Sequence, residues 1–138
     1  MLVQTYLSFE GRCEEALEFY RRAAGAEVQM LMRFKESPEP APEGAVPRGT
    51  ENKVLHAAFK IGETVVLASD GRCSGKADFK GFGLTISVND SAAADKVFAA
   101  LSDGGQVTMP LGKTFWSSRF GMLTDRFGVC WMVNTVTP

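Results

Sequence analysis

Few side chains in this 138-residue chain could do chemistry near neutral pH. His56, in "VLHAAF", is the one histidine, and imidazole is the ready proton carrier in that range. Strand alternation puts His56, Ala58 and Lys60 on one face and Leu55, Ala57 and Phe59 on the other. If the first face lines a cavity, His56 serves as a base or hydrogen-bonds a ligand. Otherwise it is a structural histidine bonded to nearby backbone. Arg119, in "SSRFG", carries the planar fork that grips carboxylate or phosphate at two points. Its alternative is a surface ion pair with Asp125 or a glutamate. Phe115 and Trp116, in "TFWSS", and Tyr6 offer flat apolar surface to a planar ligand, or else core or dimer contact. Cys13 stands near a helix start, where the dipole favours thiolate. No His or Asp adjoins it in sequence, so apolar packing is the reading.

The elements that must position these groups follow from spacing. "LVQTYLSF" reads as a strand that Gly11 breaks. "CEEALEFYRRAAGAEV" places Cys13, Ala16, Leu17, Tyr20, Ala23 and Ala24 on a helical stripe, with Gly25 as its stop. "EVQMLMRF" is a second strand, and "VLHAAFKI" and "TVVLAS" form a hairpin across Gly62-Glu63. The opening pattern then recurs. "LTISV" is a strand, and "SAAADKVFAALSD" is a helix with Ala94, Val97, Phe98 and Leu101 on one stripe. "QVTM" is a strand beyond Gly104-Gly105. An offset of 79 residues carries Phe19 onto Phe98, Gly25 onto Gly104 and Val28 onto Val107, which suggests two βαβββ halves. The fold class is therefore α+β, a single domain over 1–138 with one module near 1–70 and another near 82–138.

Two segments bear on function by their composition. Residues 35–53 hold four prolines, two glycines and four glutamates, and nothing there is expected to bury an apolar face. Such a loop is a cover for a site or a tolerated surface insertion. The stretch "TFWSSRFGMLTDRFGVCWMV" carries two Arg-Phe-Gly triplets. Asp125 and Gly128 suit the first and last positions of a type I turn, so the second triplet is turn chemistry and Trp131 beyond it is core. Asp70, ending a strand in "ASDGR", reads as a turn cap.

Bulk numbers exclude several classes. A net charge of −1 gives no field favouring nucleic acid or an anionic membrane. No apolar run approaches the ~18 residues that span a bilayer. "MLVQTYLSFEGR" lacks a basic leader followed by an apolar stretch, so no secretory signal is expected. Cys13, Cys73 and Cys130 are odd in number and form no C-x-x-C pair. Neither a disulfide framework nor a zinc knuckle is indicated, and the expected location is cytoplasmic.

"YLSFEGRCEEALEFYRRAAGAEV", "LASD" and "GGQVTMPLGKTFWSSRFGMLTDRFGVCWMVN" resemble the PhnB-like branch of the vicinal oxygen chelate superfamily. That superfamily also holds glyoxalase I, bleomycin- and fosfomycin-resistance proteins and extradiol dioxygenases. The resemblance implies paired βαβββ modules whose sheets curl around a shared cavity, in a homodimer. It also implies a divalent metal held from the first, fourth, fifth and eighth strands. Those positions fall on Thr5, at or beside Leu67, near Gly83, and on Met132, none of which offers imidazole, carboxylate or thiolate. The expectation is a small-molecule-binding protein, as bleomycin-resistance proteins are, with no side-chain metal site and no cofactor. Its ligand would meet Arg119, His56, Trp116, Phe115 and Tyr6. The alternative is a lyase, isomerase or dioxygenase-like enzyme using His56 or a non-standard metal site. The domain family is often labelled after a ubiquinone-pathway methyltransferase. The common kind needs a glycine-rich turn between strand and helix, and Gly104-Gly105 follows a helix instead.

Overall fold

The expected helices and strands form in a computed structural model, which describes residues 1–39 and 42–136. Three-residue strand β1 (Tyr6–Ser8) leads into helix α1 (Cys13–Ala24), and strands β2 (Glu27–Arg33), β3 (Val54–Ile61) and β4 (Thr64–Ser69) follow. The second half repeats the series as β5 (Leu84–Val88), α2 (Ser91–Ser102), β6 (Gln106–Gly112), β7 (Phe120–Thr124) and β8 (Cys130–Thr135). The chain divides into two compact units, 1–77 and 78–138. Each holds one four-stranded mixed sheet, ordered β1-β4-β3-β2 in the first and β5-β8-β7-β6 in the second. In both, the first strand runs parallel to the last and the remaining pairs are antiparallel. The common strand order is the duplication seen as topology. Buried Ala16 and Tyr20 match buried Ala94 and Phe98 at an offset of 78, one residue less than the offset read from Phe19, Gly25 and Val28.

In the first unit α1 buries Cys13, Ala16, Leu17, Phe19 and Tyr20. Phe19 lay outside the expected stripe, while Ala23 and Ala24 are only half-buried. The sheet presents Leu7, Ala57, Phe59, Val66 and Ala68 as its buried side, and Tyr20 stacks on Phe59 with centroids 5.8 Å apart. Burial of each large side chain contributes about 1.5–3 kcal/mol. Leu55 departs from the expected alternation. A register shift between Met32 and Arg33 brings Val54 to the core side and leaves Leu55 half-buried on a loop cleft.

Helix α1 ends as its sequence says, with Gly25 in the left-handed conformation at φ 68°. Its N-terminus is unusual, since Arg12 supplies no side-chain cap. Instead Asp70 Oδ1, arriving from the end of β4, accepts the N–H groups of Cys13 at 2.7 Å and Gly11 at 3.0 Å. Asp70 Oδ2 accepts Val54 N–H at 2.7 Å. The turn cap expected at Asp70 is thus a buried tie among three segments.

In the second unit α2 is capped locally, Ala93 N–H donating to Asp90 Oδ1 at 2.7 Å. Its buried residues are Ala94, Phe98 and Leu101, while Val97 stays half-buried. Gly121 lies beneath them, where an added Cβ would sit 2.8 Å from Phe98 Cε2 and 3.0 Å from Leu111 Cδ2. The 125–128 turn forms as expected. Gly128 N–H donates to Asp125 O at 3.0 Å, with Gly128 at φ 96°. Asp125 Oδ1 accepts Phe127 N–H, and Asp125 Oδ2 accepts Trp131 Nε1–H at 2.8 Å. Trp131 is core, 2% exposed. Strand β6 runs beyond "QVTM" through Pro110, tolerated because β6 is an edge strand.

Gly121→Ala should lower the unfolding free energy by about 1–3 kcal/mol through overpacking against Phe98. Urea titration measures this, and unchanged stability would show that α2 can lift away without cost.

Candidate functional site

One helix covers one face of each sheet, so function is sought on the face turned away from it. In the first unit that face carries Tyr6, Leu67, Ala58 and Met30 in lateral register across four strands, with His56 beside Met32. His56, Ala58 and Lys60 therefore share the open side, as alternation predicts. Tyr6 and His56 stack with ring centroids 5.9 Å apart and planes 29° from parallel. Tyr6 is 48% exposed. The imidazole has no hydrogen-bond partner among the described residues. Of the two alternatives at His56, a backbone-bonded structural histidine is not what the geometry displays.

In the second unit the open face carries Phe120 opposite Asn134, Met122 opposite Met132, and Thr85 and Ser87 beside Met132 and Asn134. Trp116 packs edge-on against Phe120 at 5.3 Å, and Phe115 packs edge-on against Trp116 at 4.7 Å. Phe115 is fully exposed and Trp116 half-exposed, so neither is core. The segment 114–119 is pinned by Thr114 N–H to Ser117 O at 2.9 Å and by the Ser117 hydroxyl to Arg119 O at 2.8 Å. Arg119 points to the helix side. Its guanidinium pairs with Asp95 on α2, not with Asp125 or a glutamate as the sequence suggested. Asp125 is committed to its turn and to Trp131. Arg119 Nε is buried without a hydrogen-bond partner among the described residues.

The structure brings Tyr6 and His56 together in the first unit and Phe115, Trp116 and Phe120 together in the second, and it turns Arg119 toward Asp95 on the helix side. Phe120 and Asn134 escaped the sequence reading. Alternation with the buried Gly121 and Val133 would have put both on the open face.

The first unit also holds two clefts. One of about 610 Å³ is lined by Gly11, Arg12, Glu14, Arg33, Lys53 and Asp70, among others. Its charges are used internally. Arg33 grips Glu14 at 2.7 and 3.0 Å, Arg12 bonds Glu15 at 2.8 Å, and Lys53 donates to Gly11 O at 2.8 Å. The Arg33 hydrogen bond holds the Glu14 carboxyl below its ordinary range. The second cleft, about 240 Å³, lies between the 35–53 loop and β3, with Phe34, Val46, Pro47 and Leu55 around it. The loop is closed at its base by Phe34 N–H to Lys53 O and Lys35 N–H to Glu51 O, both 3.0 Å. Val46 is half-buried, so the loop does bury some apolar surface; residues 40 and 41 lie outside the described residues. Among the described residues, no three His, Cys, Asp or Glu side chains group closely enough to hold a metal ion, and no helix is long and apolar enough to cross a membrane.

Two βαβββ units of this strand order define the fold of the glyoxalase and fosfomycin-resistance proteins of the vicinal oxygen chelate superfamily. The fosfomycin-resistance protein FosX of Listeria monocytogenes shares that fold at 11% identity, with a TM-score of 0.63 over 98% of this chain and 92% of that one. Within that class, the chain belongs to the PhnB-like family whose model is described as 3-demethylubiquinone-9 3-methyltransferase, matched over residues 2–134. It is 36% identical to protein YjdN of Escherichia coli K12 over 99% of this chain and 96% of that protein. Protein PA1353 of Pseudomonas aeruginosa is 39% identical, with a TM-score of 0.83 over 98% and 97% of the two chains. A PhnB protein of Bacillus cereus is 28% identical, with a TM-score of 0.79 over 98% and 99%.

Cys13 settles its own role. It is fully buried, and burial, with the charges of Asp70 and Glu14, pushes its thiol far above the ordinary range. That environment suits packing and opposes the thiolate a helix dipole would favour. In the native protein at pH 8, Ellman's reagent should leave Cys13 unmodified until denaturant is added. Peptide mapping reads this, and rapid native labelling of Cys13 would contradict the packing role.

Proposed function

We propose that the chain is a small-molecule-binding protein of the PhnB-like type that holds an aromatic or planar ligand without a side-chain metal site. The observation that carries this is the Tyr6–His56 stack, half-exposed on the face opposite α1, with imidazole nitrogens that no described residue bonds. Flat rings on an open sheet face suit a flat ligand. Within the second unit, Phe115 and Trp116 present a separate surface of the same kind. Arg119 enters as an anion clamp only by exchanging Asp95 for a ligand carboxylate. The 35–53 loop serves as a cover in this reading.

The donor set argues against the metal of the superfamily's enzymes. Leu67 and Met132 are strand residues, and Thr5 is tied by its backbone, Leu67 N–H donating to Thr5 O at 2.9 Å. At Gly83 an added Cβ would stand 3.2 Å from Cys130 O and 3.4 Å from Met132 Cε. A thioether, an isopropyl group, a hydroxyl and a hydrogen do not make a first-row metal site. As a general base His56 would also want an orienting partner on its second nitrogen, and none of the described residues supplies one. Binding is therefore favoured over catalysis, and the family's methyltransferase label is not carried into this reading.

A homodimer completes the proposal. Val28 and Met30 on β2, and Val107 and Met109 on β6, are each 40–45% exposed on edge strands at equivalent places in the two sheets. A second copy would cover such apolar edges. The location proposed is the cytoplasm.

A thermal-shift screen of glycopeptide antibiotics and planar aromatic metabolites, with and without EDTA, should give hits that chelation does not abolish. Tyr6→Ala and His56→Ala should each weaken the best hit by about 5- to 30-fold, as ring stacking and a hydrogen bond contribute ~1–2 kcal/mol. Stoichiometric metal surviving EDTA, or affinities unmoved by both substitutions, would refute the assignment.

A further inference from the structure

The second sheet carries a polar group that no described residue satisfies. Asn134 sits on β8, an inner strand, between Phe120 on β7 and Ser87 on β5. Its Oδ1 is shut off from solvent and accepts no hydrogen bond from any described residue. A buried amide oxygen left without a donor opposes folding, so such groups are rare unless something else fills the vacancy. The other orphaned atom, Arg119 Nε, cannot fill it. Arg119 reaches Asp95 on α2, whereas Asn134 shares the opposite face with its register partner Phe120. Ser87 is exposed in parallel register beside Asn134, and Trp116 stands edge-on against Phe120. An unsatisfied acceptor and a hydroxyl thus adjoin an aromatic wall.

We infer that Asn134 Oδ1, with Phe120 and Trp116 beside it, is a binding subsite for an N–H or O–H donor carried on a planar ring, such as an aryl amide, aniline or phenol. This deepens the proposed function and rests on it, since the ring must already be held by the aromatic surface. The donor supplies the bond that Asn134 Oδ1 lacks. Ring substituents without a donor forfeit it, so Asn134 sets specificity where the aromatic residues set general affinity. A group kept for a ligand is also a liability to the free protein. An apolar residue of similar size at 134 should therefore make the protein more stable while removing the preference.

The probes are benzamide and N,N-dimethylbenzamide, alike in ring and carbonyl but differing in the donor. Ligand-observed NMR titration compares the unmodified protein with Asn134→Ala and Asn134→Leu, and calorimetry gives their melting temperatures. Benzamide should bind the unmodified protein about tenfold tighter than its dimethyl analogue. The ratio should fall to about one in both variants, and the melting temperature of Asn134→Leu should rise by about 3 °C. Equal affinities in the unmodified protein, a ratio that survives both substitutions, or a drop in the Asn134→Leu melting temperature would each overturn the subsite. If both probes bind without a donor preference, the subsite fails and the aromatic-binding function stands. If neither binds, both fail together.

Discussion

A four-stranded sheet has two faces, and in each unit one helix is on hand to cover one of them. That arithmetic governs the molecule. On the covered side, residues are chosen for volume: Phe59 under Tyr20, and Gly121 where Phe98 leaves no room even for a methyl group. On the other side the constraint is lifted, and groups that a core would reject persist. Tyr6 stacks on His56, Ser87 lies beside Asn134, and Met122 faces Met132. The open faces are where chemistry specific to this chain can be written without disturbing the architecture.

The covered side depends on two buried carboxylates placed quite differently. Asp125 satisfies its own turn and then anchors Trp131, all within seven residues. Asp70 ties the N-terminus of α1 to the start of β3 from 57 and 16 residues away. Each offsets its desolvation with N–H donors, and an isolated carboxylate in the same place would be untenable. Asp70 also holds the Cys13 backbone, and its charge raises the Cys13 thiol further. The same contact that fixes the helix start thus makes the adjacent cysteine inert.

This contrast explains what could be read from the sequence. The α2 cap, Asp90 three residues before Ala93, is local and legible, as are Gly25 at the end of α1 and the Asp125–Gly128 turn. Strands β3, β4 and β5 match their sequence segments end for end, because period-two burial is written in consecutive residues. The cap supplied by Asp70 is long-range, and nothing near Arg12 announces it. Likewise the register shift that turns Leu55 outward belongs to the pairing of two strands and not to either alone. At the site, residue types disclosed that His56 shares a face with Ala58 and Lys60. They did not disclose that Arg119 is held by Asp95, since an ion pair between a helix and a distant strand has no local signature.

Duplication adds the last constraint. Both units inherit the strand order, the helix position and an edge strand carrying a Val and Met pair, so these features follow from the common plan and say little about a particular ligand. What differs between the halves is more informative. The first unit places a phenol against an imidazole on its open face. The second places an amide and thioethers there, edged by Phe120 and Trp116. Gly83 and Met132 meet in the second unit, where a Cβ added at Gly83 would stand 3.4 Å from the Met132 methyl. The rings, thioethers and single polar groups on the open faces are thus where the two halves have gone separate ways.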